Sequence, residues 1–211
     1  MVEARAALLM ELRSLGVRDS AVLRAVEEVP RALFVPEALA HRAWENTALP
    51  IGRGQTISQP LIVALMTQAL ELDKRQKVLE VGTGSGYQTA VLARLARRVY
   101  TIERHAALLR EAEERFKALG LRNVVTRLGN GFNGWPEVAP FSRILVTAAA
   151  KEVPPPLLAQ LAIGGRMVIP TGPVGGHQEI LLIEREEAGY KTTPLGPVRF
   201  VPLIDAAPER H

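Results

Sequence analysis

Lys77-Val-Leu-Glu-Val-Gly-Thr-Gly-Ser-Gly86 is the stretch on which the fold turns. An apolar run carrying one acid, Glu80, ends in glycines at 82, 84 and 86, and a helix-like segment opens at Tyr87. Glycines this closely spaced let a chain turn sharply at the carboxyl end of a strand and approach a ligand without a Cβ in the way. A nicotinamide-type G-x-G-x-x-G loop would need glycine at the position held by Tyr87. The reading is a strand, a ligand-binding turn and a helix.

Outward from this turn the chain alternates. Apolar runs at 77–81, 99–103, 124–128, 143–147 and 166–170 predict strands, and stretches at 87–97, 105–118 and 154–161 predict helices. Such alternation with right-handed crossovers gives an α/β, Rossmann-like, mostly parallel sheet with helices on both faces. Two further runs, Glu179–Glu184 and Val198–Leu203, have no helix between them and predict antiparallel edge strands. Upstream, helical periodicity covers 3–15 and 20–28, with Asp19 and Ser20 suited to capping the second helix. Another short helix begins at Phe34-Val-Pro36, Leu49–Gly54 reads as a loop of breakers, and Pro60 opens a helix through Leu72 behind Ser58 and Gln59 as caps. Residues 1–75 are therefore expected to be a helical extension packed as a lid on a sheet domain of residues 76–211, within one domain.

Bulk composition narrows the chemistry. The 211 residues are 47% hydrophobic and 23% charged, ordinary for a globular domain with a full core. The absence of cysteine excludes disulfides, thiolate nucleophiles and cysteine-ligated metals. His41, His105, His177 and His211 lack metal-ligand spacing, so no metal is assigned. The formal charge of +4 is spread among acids, as in Arg110-Glu-Ala-Glu-Glu-Arg-Phe-Lys117, a solvated helix face rather than a nucleic-acid footprint. With no apolar run of membrane-spanning length and no signal-peptide layout, a cytoplasmic protein is expected; a monomer is expected separately, since no residue pattern sets the oligomeric form.

Ligands of such sheets sit beyond the carboxyl ends of the strands. Glu103 ends the second strand 17 residues after Gly86. It reads either as a solvated strand-end acid or as a carboxylate accepting both hydroxyls of a ribose. Leu128-Gly-Asn-Gly131 follows the third strand, at another such carboxyl end. Thr147-Ala-Ala-Ala150 closes the fourth, its small side chains leaving room for a substrate. Trp44 and Trp135 read as core or loop anchors.

The glycine turn with its acid two positions ahead resembles the first motif of S-adenosylmethionine-dependent methyltransferases. Gly52-Arg-Gly-Gln-Thr-Ile-Ser-Gln-Pro60 is more restrictive. Taken with Val29-Pro-Arg31, Phe34-Val-Pro-Glu37, Glu45-Asn46, Val146–Ala150, Gly164-Gly-Arg166 and Val198-Arg-Phe-Val-Pro-Leu203, it closely resembles the protein-L-isoaspartate O-methyltransferases over nearly the whole chain. That resemblance implies methyl transfer from S-adenosylmethionine to the free α-carboxyl of L-isoaspartyl residues in damaged proteins and peptides. It implies Ser58 as the active-site serine, where its position alone would also suit a helix cap. It further implies cofactor contacts from Thr56, Ile57, Ser58, Glu80, Gly82, Thr83, Gly84, Ser85, Gly86, Glu103, Asn130, Gly131, Thr147 and Gln178. The resemblance also places Asn130 and Gly131 at the adenine, the first as acceptor from its amino group and the second as a backbone donor to its ring, with two departures from the family pattern: Asn130 stands where an Asp is usual, and Ser142 where relatives often carry Asp.

Competing readings are a small-molecule or nucleic-acid methyltransferase and a non-catalytic cofactor-binding module. The place after the fourth strand lacks the Asn/Asp-Pro-Pro-aromatic loop of base-amino methylation, and pyrimidine C5-methylation needs a cysteine.

Overall fold

A computed structural model describes residues 2–209. Its centre is a seven-stranded sheet in the order β5-β4-β3-β6-β7-β8-β9. The strands are β3 (Lys77–Val81), β4 (Arg98–Glu103), β5 (Val124–Leu128), β6 (Phe141–Val146), β7 (Leu161–Thr171), β8 (Gln178–Glu186) and β9 (Gly189–Val198). The pairs from β5 through β7 are parallel, and β8 and β9 add antiparallel ladders at one edge. The sheet is thus Rossmann-like and mostly parallel. Strand order reverses between β3 and β6, which opens a crevice at their carboxyl ends.

Residue alternation along β3 sorts the core into layers. Leu79 and Val81 face one side with Ile144, Val146 and Ile169, while Val78 faces the other with Leu145, Val168 and Leu92. Helices α4 (Tyr87–Leu95), α5 (Ala106–Ala118) and α6 (Pro155–Ala159) connect the parallel strands. A third apolar cluster joins α4 to the N-terminal helices α1 (Val2–Ser14) and α2 (Ser20–Glu28), through Leu8, Leu12, Val22, Val26 and Phe34 against Tyr87, Ala90 and Val91. The N-terminal segment is therefore packed on the sheet unit through a shared core.

Capping follows local chemistry at α2, where Asp19 Oδ1 accepts from the N–H groups of Ala21 and Val22 at 2.8 and 3.2 Å. Helix α3 (Pro60–Leu70) departs from the sequence reading: neither Ser58 nor Gln59 caps it with a side chain. Asn46 Oδ1, 15 residues upstream, accepts from Leu61 N–H at 3.0 Å instead.

Other departures bear on the site. The expected breaker loop at 49–54 is the first arm of a hairpin, β1 (Leu49–Gly52) with β2 (Gln55–Ile57), in which Leu49 pairs with Ile57. The last strand is Gly189–Val198, not Val198–Leu203. It is an exposed edge strand with prolines at 194 and 197, so it needs no continuous apolar run. Residues 199–203 turn back across the sheet instead, with Ala149 N–H donating to Val201 O at 2.8 Å and Leu203 N–H to Ala149 O at 2.7 Å.

The tail expected to fray from 204 is docked as far as it is described, and Arg210 and His211 lie outside the described residues. Glu209 N–H donates to Arg104 O at 2.7 Å, and its carboxylate meets Arg104 and His105, each at 2.9 Å. Paired backbone bonds and two cationic or hydrogen-bonding partners offset the ordering entropy that composition alone suggested would prevail.

Candidate functional site

The crevice at the strand reversal is a cavity open to solvent, about 910 Å³ with the open space at its mouth included. Its walls come from four places in the chain: Gln55–Ser58 after the hairpin, Gly82–Ser85 after β3, Glu103–His105 after β4, and Thr147-Ala148 after β6, with Gly131 and Val201–Ile204 closing one side. Ten of the residues expected in the site line it: Thr56, Ile57, Ser58, Gly82, Thr83, Gly84, Ser85, Glu103, Gly131 and Thr147.

The glycine turn is shaped by contacts on its far side. Gly82 has φ +97°, and a Cβ there would stand 2.3 Å from Thr147 Oγ1. That hydroxyl shares its proton between the carbonyls of Val81 at 2.9 Å and Gly82 at 2.7 Å, tying the ends of β3 and β6 together. Gly86 has φ +90° and lies against Phe116 of α5, whose ring carbon a Cβ would approach to 2.6 Å. Gly86→Ala is therefore expected to cost about 2–4 kcal/mol, combining left-handed strain with overpacking. Chemical denaturation with an unchanged midpoint would contradict that contact.

Glu103 is the electrostatic centre of the floor. One oxygen accepts from Gly84 N–H at 2.8 Å, and the other from Arg104 and His105 N–H at 2.8 and 2.9 Å. The carboxylate therefore organises two loops and, being 5% exposed, keeps a narrow face toward the cavity. A carboxylate has about four acceptor sites and three are used, so Oε2 keeps one free for a ligand hydroxyl, and a second would share Oε1 with the Arg104 and His105 N–H groups.

Four expected contacts, Glu80, Gly86, Asn130 and Gln178, do not line the cavity. Gly86 turns its backbone into α4. Glu80 is wholly buried on the α4 face of β3, its Oε2 accepting from Thr89 at 2.5 Å and Thr101 at 2.6 Å while Oε1 has no partner. Burial, with the nearby Glu103 adding to it, pushes its pKa up to about 8 despite the two hydroxyls. Thr101 also bonds Thr83 at 2.6 Å, so Glu80 reaches the cavity wall through a chain of two threonines.

Asn130 uses its carbonyl to accept from Phe132 N–H at 3.0 Å, leaving its amide to donate to Asp205 at 2.7 Å. The expected adenine acceptor is thus committed to a turn. The pairing also accounts for the amide itself, because an aspartate at 130 would face Asp205 as a like charge. Gln178 grips Phe200, accepting from its N–H at 2.7 Å and donating to its carbonyl at 3.3 Å, and so steers Val201–Ile204 into the cavity wall. Its action on the site is indirect.

Residues not assigned to the site from the sequence also line the cavity, among them Tyr87, Gln88, Ile102, Arg104 and His105. Most are immediate neighbours of Gly86, Glu103 or Thr147, and adjacency to a strand end was the available signal. The wall at Val201–Leu203 lies within the resembling segment, where the apolar run predicts a strand.

The donor set suits a nucleoside carrying a small zwitterion: backbone groups at a glycine turn, a strand-end carboxylate, and apolar walls. The family model for protein-L-isoaspartate(D-aspartate) O-methyltransferases matches residues 3–208. The protein-L-isoaspartate O-methyltransferase of Rhodospirillum rubrum is 65% identical over 205 residues, 96% of this chain and 94% of that one. That of Rhodospirillum centenum is 60% identical over 204 residues, 96% of this chain and 92% of that one. Among solved structures, a Plasmodium falciparum chain given the same name, crystallised with S-adenosyl-L-homocysteine, superposes with a TM-score of 0.83 at 27% identity, over 95% of this chain and 98% of that one. Another protein-L-isoaspartate O-methyltransferase gives 0.84 at 29% identity, with 94% of this chain spanning 65% of that longer one. Because the match runs through the N-terminal helices as well as the sheet, the chain belongs to the protein-L-isoaspartate(D-aspartate) O-methyltransferase family.

Proposed function

We propose that this chain repairs damaged proteins by moving a methyl group from S-adenosylmethionine to the free α-carboxyl of L-isoaspartyl residues. The observation that carries the reading is the convergence of Ser58, from the N-terminal segment, with Gly82–Ser85 and Glu103 on one cavity. The bound sulfonium supplies an electrophilic methyl group. In this reading Glu103 takes the ribose hydroxyls, the backbone of Gly82–Ser85 takes the amino-acid end, and Gly131 lies beneath the base. Residues 1–75 form the lid that brings Thr56, Ile57 and Ser58 to the acceptor.

The acceptor needs no general base. A free carboxyl group ionises at about pH 4 and is already an anion at neutral pH. What the site must provide is an in-line approach and exclusion of water, and good orientation is worth roughly 7–11 kcal/mol in such reactions. Ser58 donates a hydrogen bond to the carboxylate and forms no covalent intermediate. Its place two residues before Pro60, at the opening of α3, adds the favourable end of a helix dipole.

In this reading the chain works as a monomer in the cytoplasm on protein chains, and no helix among the described residues is long and apolar enough to cross a membrane. A tritiated-methyl assay on an isoaspartyl peptide beside its aspartyl counterpart tests the reading. Base-labile label on the isoaspartyl peptide alone is expected. Equal labelling of both, or methylation of a small molecule or RNA in their place, would overturn it. Ser58→Ala should lower turnover about ten- to a hundredfold, the cost of one charge-assisted hydrogen bond, and leave S-adenosyl-L-homocysteine affinity within a few-fold. Unchanged turnover at saturating peptide would remove Ser58 from the acceptor site.

A further inference from the structure

Arg31 opens the short 3-10 helix Arg31–Phe34 and is fully buried, with 0% of its surface exposed. Its guanidinium is held by carbonyls rather than by a carboxylate. Nη1 donates to Ala43 O at 2.6 Å, and Nη2 donates to Thr47 O and Ser58 O, both at 3.0 Å. Nε has no partner. Glu45 acts on it only through space, and its own carboxylate pairs with Arg42 at 2.8 Å. The guanidinium carbon lies 5.6 Å from the centroid of the Tyr87 ring. Ser58 and Tyr87 both line the cavity, so Arg31 sits directly behind the wall they make.

A buried cation without an anionic partner is costly, and apolar residues of similar volume commonly replace buried charges without loss of stability. An arginine keeps its charge under these conditions because its guanidinium resists deprotonation. A knot of three loop carbonyls accounts for the geometry of the fork. The unneutralised charge calls for something more, and the anion that completes it would be an acceptor carboxylate arriving at Ser58. The intervening medium is protein, where screening is weak.

We propose that Arg31 is a positioning residue for the acceptor: it holds the Ser58 carbonyl in place and gives that end of the cavity the positive potential that selects an anionic acceptor over a neutral one. The inference rests on the functional reading above and adds the source of its charge selectivity. Arg31 itself touches neither substrate nor cofactor.

The test compares an isoaspartyl peptide with the same peptide carrying an α-carboxamide, used as a competitive inhibitor. The ratio of inhibition constant to KM reports preference for the anion, and S-adenosyl-L-homocysteine affinity is followed by calorimetry. In Arg31→Met the peptide KM is expected to rise at least tenfold and the anion preference to fall at least fivefold, with cofactor affinity within twofold. In Arg31→Lys the charge remains but the fork is lost, so the preference should persist while kcat falls severalfold. A merely structural role would weaken cofactor and peptide together and leave the preference alone. An unchanged preference in Arg31→Met, or parallel loss of cofactor affinity, overturns the proposal. Should the methionine variant fail to fold, Arg31→Lys decides: a fall in kcat with cofactor affinity retained supports the clamp, and an unchanged kcat overturns it. Absence of labelling by the wild-type enzyme overturns the functional reading and this inference together, whereas labelling with an unshifted preference overturns this inference alone.

Discussion

Glu103→Gln should weaken S-adenosyl-L-homocysteine binding by about ten- to a hundredfold, the range expected when charge-assisted hydrogen bonds become neutral ones. The expectation has two parts. First, the carboxylate would accept both ribose hydroxyls, and an amide offers one acceptor oxygen in place of two. Second, both carboxylate oxygens already receive backbone N–H groups, from Gly84 on one side and from Arg104 and His105 on the other. Whichever way the glutamine amide turns, its own N–H₂ faces one of these donors. The glycine turn or the start of α5 must therefore shift, and both line the cavity. Calorimetric titration reads the effect directly, and affinity within twofold of wild type would take Glu103 out of the site. Retained affinity with a lowered melting temperature would mean that its role ends at the loops.

The other large effect is expected at Glu80 and is a matter of stability and pH. Its pKa is raised to about 8 in the folded protein by burial. Unfolded, it has an ordinary carboxylate value, so between the two the folded state holds a proton that the unfolded state releases. Stability from this residue is greatest at or below the unfolded pKa. It declines as pH rises and levels off once the folded group also ionises, near pH 8. At 1.36 kcal/mol per pH unit, the decline from pH 5 to 7.5 amounts to about 3 kcal/mol. Glu80→Gln imitates the protonated acid: its carbonyl can take the place of Oε2, which accepts from Thr89 and Thr101, and nothing in it ionises. Urea denaturation at pH 5, 6, 7 and 8 should show the variant gaining on wild type as pH rises. Parallel pH profiles for the two proteins would contradict a protonated Glu80. The same ionisation disturbs the Thr101–Thr83 chain, so cofactor affinity should fall over the same alkaline range in wild type and stay flatter in the variant.

Much of this arrangement is legible in the sequence, for a local reason. The turn at Gly82–Gly86 depends on backbone conformations that few residues adopt. The strands on either side depend on apolar periodicity, and Glu103 stands where a strand ends. Each can be read within about twenty residues, and each is found in place. The Ser58 segment was legible only through the resemblance, since a serine two residues ahead of a proline also describes a helix cap. In the fold that capping role passes to Asn46, through the Leu61 N–H group.

Where the reading missed, a partner distant in the chain set the outcome. The final strand is an edge strand with prolines, so its ladder to β8 substitutes for hydrophobic patterning. The tail is ordered by Arg104 and His105, about a hundred residues away. Asn130 gives its amide to Asp205, 75 residues on, and Gln178 faces Phe200 rather than the cavity.

The sequence by itself therefore determined the parallel sheet, the glycine turn, the strand-end acid and, through its likeness to relatives, the chemistry of the acceptor. Only the tertiary structure decided which polar groups meet: Glu80 buried against Thr89 and Thr101 beneath the loop, Glu103 shared by two loops, Arg31 held by carbonyls behind Ser58. The physical reason is range. Backbone conformation and periodic burial are dictated by near neighbours in the chain, whereas the energy of a charge or a hydrogen bond depends on which distant groups folding brings within about 3 Å and on how much water it removes.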